Sequence, residues 1–107
     1  MKSIAQATAT ATAKLVETRP IEGALEGQAT VWEIPGGRYS MFWDPRYKAV
    51  SYTLYLKNHR AWCAVESGGL PTEEAVHQYA ARRLPQIRRE RNNAIRRWMN
   101  RARREQV

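Results

Sequence analysis

At 107 residues and 43% apolar content, the chain is long enough for one domain with a modest core and too apolar to be disordered throughout. Its single cysteine, Cys63, excludes an internal disulfide framework. No run of about 18 apolar residues occurs, and residues 1–16 lack the apolar segment of a secretory signal, so we predict a cytoplasmic protein.

The net positive charge lies entirely in the last quarter of the chain. Residues 1–80 contain eight basic and eight acidic side chains, which sum to zero. Residues 81–107 contain ten arginines, no lysine and two glutamates, and they carry the whole net charge of +8. A neutral body followed by a cationic segment indicates a polyanionic partner.

Residues 1–27 predict an N-terminal arm or edge strand followed by a loop. Ala and Thr alternate over residues 5–13, a pattern typical of a strand but also of a low-complexity arm, and both interpretations remain open. One proline and two glycines predict a loop over residues 17–27.

Residues 28–84 predict a small sheet-plus-helix body. Four segments show the apolar/polar alternation of strands, namely residues 28–34, 38–43, 49–56 and 60–65. The Pro35-Gly36-Gly37 turn joins the first two strands into a hairpin, and Ser67-Gly68-Gly69 is predicted to end the sheet.

Two helices are predicted after the sheet. In the first, Thr72 caps the start and two glutamates suit the positive end of the helix dipole. Its apolar face is formed by Val76, Tyr79, Ala80 and Leu84. Pro85 lacks a backbone N–H and predicts a break or kink. The second helix should run from about residue 86 to about residue 104, within a basic segment of residues 85–107.

The predicted fold class is α+β, with a three- to four-stranded antiparallel sheet followed by a packed helix and an arginine-rich C-terminal helix. A strand ending in Trp43-Asp44-Pro45, further strands and then a helix occupy residues 38–84. This block resembles the small sheet-plus-helix domains with which tyrosine recombinases hold arm-type DNA sites. The resemblance implies a DNA-binding body and assigns no role to any residue.

The arginine-rich segment is the main indication of function. A guanidinium group presents a planar fork of donors that matches a phosphate, and it stays charged. Asn93 and Trp98 are candidate base readers, because Asn pairs with adenine and Trp stacks on unpaired bases. The predicted nucleic-acid-binding residues are Arg82, Arg83, Arg88, Arg89, Arg91, Asn93, Arg96, Arg97, Trp98, Arg101 and Arg104.

In composition this segment is similar to the arginine-rich helical motifs with which phage antiterminators and some viral regulators grip RNA hairpins. It shares short arginine runs, the interrupting Glu90 and the downstream Trp98. The resemblance implies an RNA or DNA partner for a stretch of about 20 residues.

Other interpretations of the basic segment remain open. A charge run is often no more than a solvated helix face. Ile95, Trp98 and Met99 form an apolar stripe that can pack on the body or mediate a homodimer. Binding to an anionic membrane surface is disfavoured, because this stripe is narrow.

Eight of the aromatic side chains fall within residues 32–62. Exposed aromatics on a sheet stack on bases or bind proteins, whereas buried ones fill the core. The alternation predicts that Tyr39 and Tyr55 are exposed and that Phe42 and Tyr52 are buried. The predicted interface residues are Tyr39, Trp43, Tyr55 and Trp62.

Residues for catalysis are not evident. His59 and Cys63 supply two metal ligands where zinc requires three or four, and no nucleophile or phosphate-loop motif occurs. We therefore predict no catalytic residues, no metal and no cofactor.

The leading hypothesis is a small nucleic-acid-binding accessory protein, of the kind found in phages and other mobile elements. The alternative is a binding module or inhibitor that docks on a larger protein or ribonucleoprotein, as in anti-defence, through its aromatic sheet face.

Overall fold

The computed structural model describes residues 13–21 and 27–105. It contains a five-stranded antiparallel sheet, whose strands follow one another in chain order, and one C-terminal helix. The elements are β1 (Lys14–Pro20), β2 (Gln28–Ile34), β3 (Gly37–Asp44), β4 (Ala49–Asn58), β5 (Ala61–Leu70) and α1 (Glu73–Glu105). The α+β class predicted from the sequence is therefore confirmed, with five strands rather than three or four.

The core lies between one face of the sheet and the first half of α1. On β4 the residues alternate between buried and half-buried, and Val50, Leu54 and Leu56 face the helix. The helix contributes Val76, His77, Ala80 and Leu84 as its buried side chains. The opposite side of the sheet, which carries Arg38, Tyr55 and Trp62, is called the open face below.

A glycine allows the helix and the sheet to approach closely. A Cβ atom built on Gly37 would lie 2.9 Å from Leu84 Cδ2 and 2.9 Å from the Tyr55 carbonyl oxygen. Such contacts are shorter than real side chains make, so any larger residue at position 37 would force Leu84 or the Tyr55 backbone to shift.

The central hairpin and the helix start match the sequence-based prediction. β2 pairs with β3 from Thr30↔Met41 to Ile34↔Gly37, and Gly36 occupies the turn with a φ of 104°. At the start of α1, the Thr72 Oγ1 accepts a hydrogen bond of 3.1 Å from the Ala75 N–H.

The extra strand is β1, which includes residues predicted to form a loop. It pairs with β2 at the edge of the sheet, from Lys14↔Glu33 to Pro20↔Gln28. Pro20 is tolerated because it ends an edge strand, where the ladder does not require its N–H. Most of the Ala/Thr alternation over residues 5–13 lies outside the described residues.

β5 continues through Ser67-Gly68-Gly69, which the sequence predicted to end the sheet. Gly68 pairs with Tyr52, and a Cβ on Gly68 would lie 2.8 Å from the Tyr52 hydroxyl oxygen. The glycine therefore makes room for a tyrosine ring within the sheet, and it does not mark a turn.

The two predicted helices are one, because α1 continues through Pro85. Proline removes one hydrogen bond from the helix interior. However, Leu84, which precedes Pro85, is fully buried, and Ile87, which follows it by two residues, packs against the core. Burial on both sides of Pro85 holds the chain helical. At about 1.5 Å per residue, the 33 residues of α1 span about 50 Å.

A buried polar contact lies beneath the first turns of α1. The His77 Nδ1 and the Tyr39 hydroxyl are hydrogen-bonded at 2.5 Å, and the Trp32 ring meets the His77 ring edge-on at 4.6 Å. Burial lowers the pKa of His77, against the opposing effect of Glu73 and Glu74. Burial also raises the pKa of Tyr39. Burial therefore favours the neutral form of both side chains.

We expect Pro85→Ala to stabilise the protein. Alanine restores the missing backbone hydrogen bond, so the free energy of unfolding should rise by about 2 kcal/mol. Urea denaturation measures the change, and the neighbouring Gln86→Ala should stay within about 0.5 kcal/mol of the parent. A loss of stability in Pro85→Ala would show that the ring makes packing contacts worth more than the hydrogen bond.

We expect stability to fall as pH drops from 7.5 to 5.5, with His77 as the main cause. Because burial lowers its folded pKa, the unfolded chain takes up the proton first, near pH 6.5. The stability that the neutral His77 contributes is therefore fully present above pH 6.5, and it is lost as the pH falls through the folded pKa. Urea titrations across this range should show a smaller decline in His77→Gln. The exposed His59→Asn should decline like the parent, and equal slopes in all three proteins would contradict this assignment.

Candidate nucleic-acid interface

The second half of α1 extends beyond the sheet. Every residue from 92 to 105 is exposed except Ala102, which is half-buried. We call residues 92–105 the projecting segment. Its basic side chains are Arg96, Arg97, Arg101, Arg103 and Arg104, and none of them forms an ion pair with a carboxylate of the described residues.

The arginines of the packed half have different surroundings. The Arg83 Nε donates to Glu66 Oε1 at 3.0 Å, and its Nη1 approaches Glu90 Oε1 at 3.4 Å. The hydrogen bond to Glu66 raises the pKa of Arg83. Arg82 is exposed, and its guanidinium lies 5.8 Å from the Tyr79 ring centre. Arg83, predicted as a phosphate contact, is thus already paired within the protein.

Glu66 joins β5 to α1. Its Oε2 accepts hydrogen bonds from Tyr79 at 2.5 Å and from Tyr52 at 3.3 Å, and its Oε1 accepts one from Arg83. The Tyr79 hydrogen bond is the main reason that the Glu66 pKa lies below its usual value. The sequence did not single out this carboxylate, because its three partners lie 13 to 17 residues away along the chain, one before it and two after it.

Arg88 and Arg91 lie where α1 leaves the sheet. Both line a groove of about 220 Å³ together with Lys57 and Trp62. The Arg91 Nη1 donates to the Lys57 carbonyl at 3.2 Å, so its side chain is held against the β4–β5 turn. Arg89 is exposed on the neighbouring part of the helix.

The predicted apolar stripe of α1 does not pack on the body. Trp98 is 68% exposed, and Ile95 and Met99 are 50% and 46% exposed. Ile95 borders a groove beside Cys63, whereas Trp98 and Asn93 lie on the exposed projecting segment. Trp98 and Asn93 are therefore accessible to a partner.

The four predicted interface aromatics do not form one surface. Tyr39 is fully buried, so its predicted exposure is wrong. The cause is the register of β3, in which Gly37, Tyr39 and Met41 face α1. Trp43 is 49% exposed near the end of that strand.

The burial of the other aromatics follows from the same register. Tyr52 is buried as predicted, and Tyr55 is half-buried on the open face. Phe42 was predicted to be buried, but it is half-buried on the open face too, since it alternates with Tyr39 and Met41.

A cation–aromatic cluster occupies the open face. The Arg38 guanidinium lies 4.6 Å from the Trp62 ring centre, and the Lys57 Nζ lies 5.9 Å from it. Arg38 also forms a 3.3 Å ion pair with Glu33. Beside the cluster is a recess of about 160 Å³ lined by Arg19, Val31, Arg38, Tyr55 and Trp62.

No family model, curated protein or solved structure matches this chain. Within residues 13–21 and 27–105, no group of three His, Cys, Asp or Glu side chains is placed to hold a metal ion. In the same ranges, no helix is long and apolar enough to cross a membrane.

We expect Arg83 and Arg96 to contribute differently to stability. Arg83→Gln leaves Glu66 without its charged partner and should lower the free energy of unfolding measurably. Arg96→Gln removes an exposed, unpaired charge and should change it by less than about 0.5 kcal/mol. Thermal and urea unfolding of the two single variants test this prediction. Equal losses of stability would show that Arg83 and Arg96 do not differ in their contribution.

Proposed function

We propose that the protein is a small nucleic-acid-binding accessory protein whose projecting segment binds phosphates through its arginines. The observation that carries the proposal is the projecting segment itself. Five arginines stand on about 20 Å of exposed helix beyond the sheet, with no ion pair to a described carboxylate. Such a row of unpaired guanidinium groups attracts a polyanion, and nucleic acid is the polyanion whose regularly spaced phosphates fit it.

The body supports this function by holding the helix rigidly. The contact of Leu84 with Gly37 and the pairing of Arg83 with Glu66 fix the direction in which α1 leaves the sheet. A preorganised helix loses little conformational entropy on binding, and the major groove of duplex DNA is wide enough to admit one. Arg88, Arg89 and Arg91 extend the basic surface back to the sheet.

Two exposed side chains of the projecting segment are the candidate base readers. Trp98 exposes an indole ring on which an unpaired base stacks, and Asn93 carries an amide that pairs with adenine. We infer that this activity is cytoplasmic, since an exposed thiol such as that of Cys63 stays reduced in that compartment.

The alternative function is docking on a protein or ribonucleoprotein through the aromatic sheet face. The burial of Tyr39 and the separation of Trp43 from Trp62 weaken its support, because the remaining open face mixes aromatic with charged side chains. A homodimer through Trp98 and Met99 would bring two arginine-rich helices together, and their like charges would repel each other.

We expect Arg96→Gln/Arg97→Gln to weaken binding to nucleic acid about tenfold at low salt. The full chain and the variant are titrated against duplex DNA, single-stranded DNA and an RNA hairpin at two salt concentrations. Removal of two phosphate contacts should reduce the log–log salt slope for the duplex by about 2. The preferred ligand then distinguishes DNA from RNA.

The matched control is Lys14→Gln/Lys48→Gln, which removes the same charge from two exposed positions of the body. Its affinity should stay within about twofold of the parent. Equal weakening of both double variants would show that net charge alone attracts the ligand. A complex with a protein partner that persists at ~0.5 M salt, together with no binding of nucleic acid, would favour the alternative.

A further inference from the structure

The open face holds a second feature that the arginine helix does not explain. Trp62 separates two concavities: it lines both the recess of about 160 Å³ on the open face and the groove of about 220 Å³ that leads to α1. We propose that Trp62 stacks on an unpaired base of single-stranded nucleic acid, whose phosphates continue along the groove to the arginines of α1. This inference rests on the proposed function and adds the class of nucleic acid.

The register of the sheet explains why the indole is available. Trp62 lies opposite Lys57 on the edge strand β5, two positions after the His59–Arg60 turn. This pairing places Trp62 on the open face, away from the core side on which Leu56 is buried. Trp62 is half-buried, and no helix of the described residues covers this face of the sheet, so part of the indole can be reached by a base.

The charges around Trp62 suit a strand of phosphates. Arg38 and Arg19 line the recess, while Lys57, Arg88 and Arg91 line the groove. The two nearby carboxylates are already engaged, Glu17 with Arg19 and Glu33 with Arg38. The three basic groups of the groove form no ion pair with a described carboxylate, so the groove is cationic from Trp62 to the helix, whereas the charges of Arg19 and Arg38 in the recess are balanced by these carboxylates.

The location of Trp62 favours a single strand over a duplex. Bases in a duplex are stacked on one another, and among the described residues the open face carries strands alone, with no helix that could enter a groove to reach them. A single strand can turn one base toward the indole while its backbone follows the basic groove. Stacking of this kind depends little on base identity, so broad sequence tolerance is expected.

The test compares single-stranded and duplex ligands on the full chain. Trp62→Ala should weaken binding of oligo(dT) and oligo(U) about tenfold and change duplex DNA binding by less than about twofold. Trp62→Phe, which keeps an aromatic ring, should retain most of the affinity. The control Tyr47→Ala removes an exposed aromatic ring elsewhere and should leave all affinities unchanged. The oligo(dT) and oligo(U) arms distinguish DNA from RNA.

Photo-crosslinking of the unmodified protein gives a readout that does not depend on the folding of a variant. Oligonucleotides carrying 5-iodouracil should crosslink to the peptide that contains Trp62. Crosslinks confined to residues 92–105, with no selective loss in Trp62→Ala, would overturn the stacking site and leave the arginine helix as the binding element. Equal losses on single-stranded and duplex ligands in Trp62→Ala would also overturn it. No binding of any nucleic acid would overturn this inference together with the proposed function.

Discussion

The packing of the first half of α1 across the sheet is the constraint on which the rest of the structure depends. Gly37 lets Leu84 approach the β3 backbone, and Glu66 ties β5 to the helix through Arg83 and Tyr79. An apolar contact sets the distance and a polar network sets the rotation of the helix. Once these are satisfied, the 33-residue helix cannot end at the sheet edge, and its last turns extend into solvent.

This geometry divides arginines that look alike in the sequence. Arg83 is paired within the fold, Arg91 is held against the Lys57 carbonyl, and Arg96 stands on the projecting segment without a described partner. The first contributes mainly to stability, because its removal leaves the Glu66 carboxylate without a cationic partner. The last contributes mainly to attraction of a polyanion, because its charge is unsatisfied inside the protein.

Elements that depend on residues close together in the sequence were predicted correctly. The hairpin around Gly36, the alternating strand β4 and the Thr72 cap follow from turn chemistry, periodicity and capping. Prediction failed where distant packing decided the outcome. The helix continues through Pro85 because Leu84 and Ile87 are held against the sheet. Likewise, the arginines with their flanking Asn and Trp could be identified as a candidate site, whereas the cluster around Trp62 depends on strand pairing.

The sequence by itself determined the fold class, the central hairpin and the concentration of charge at the C-terminal end, because these depend on composition and on spacing along the chain. Only the tertiary structure decided which face of the sheet the helix covers. That choice buries Tyr39, leaves Trp62 on the open face and sends Trp98 into solvent. The physical reason is that alternation along a strand defines two faces but not which one is buried, and burial follows from the partner that packs against it.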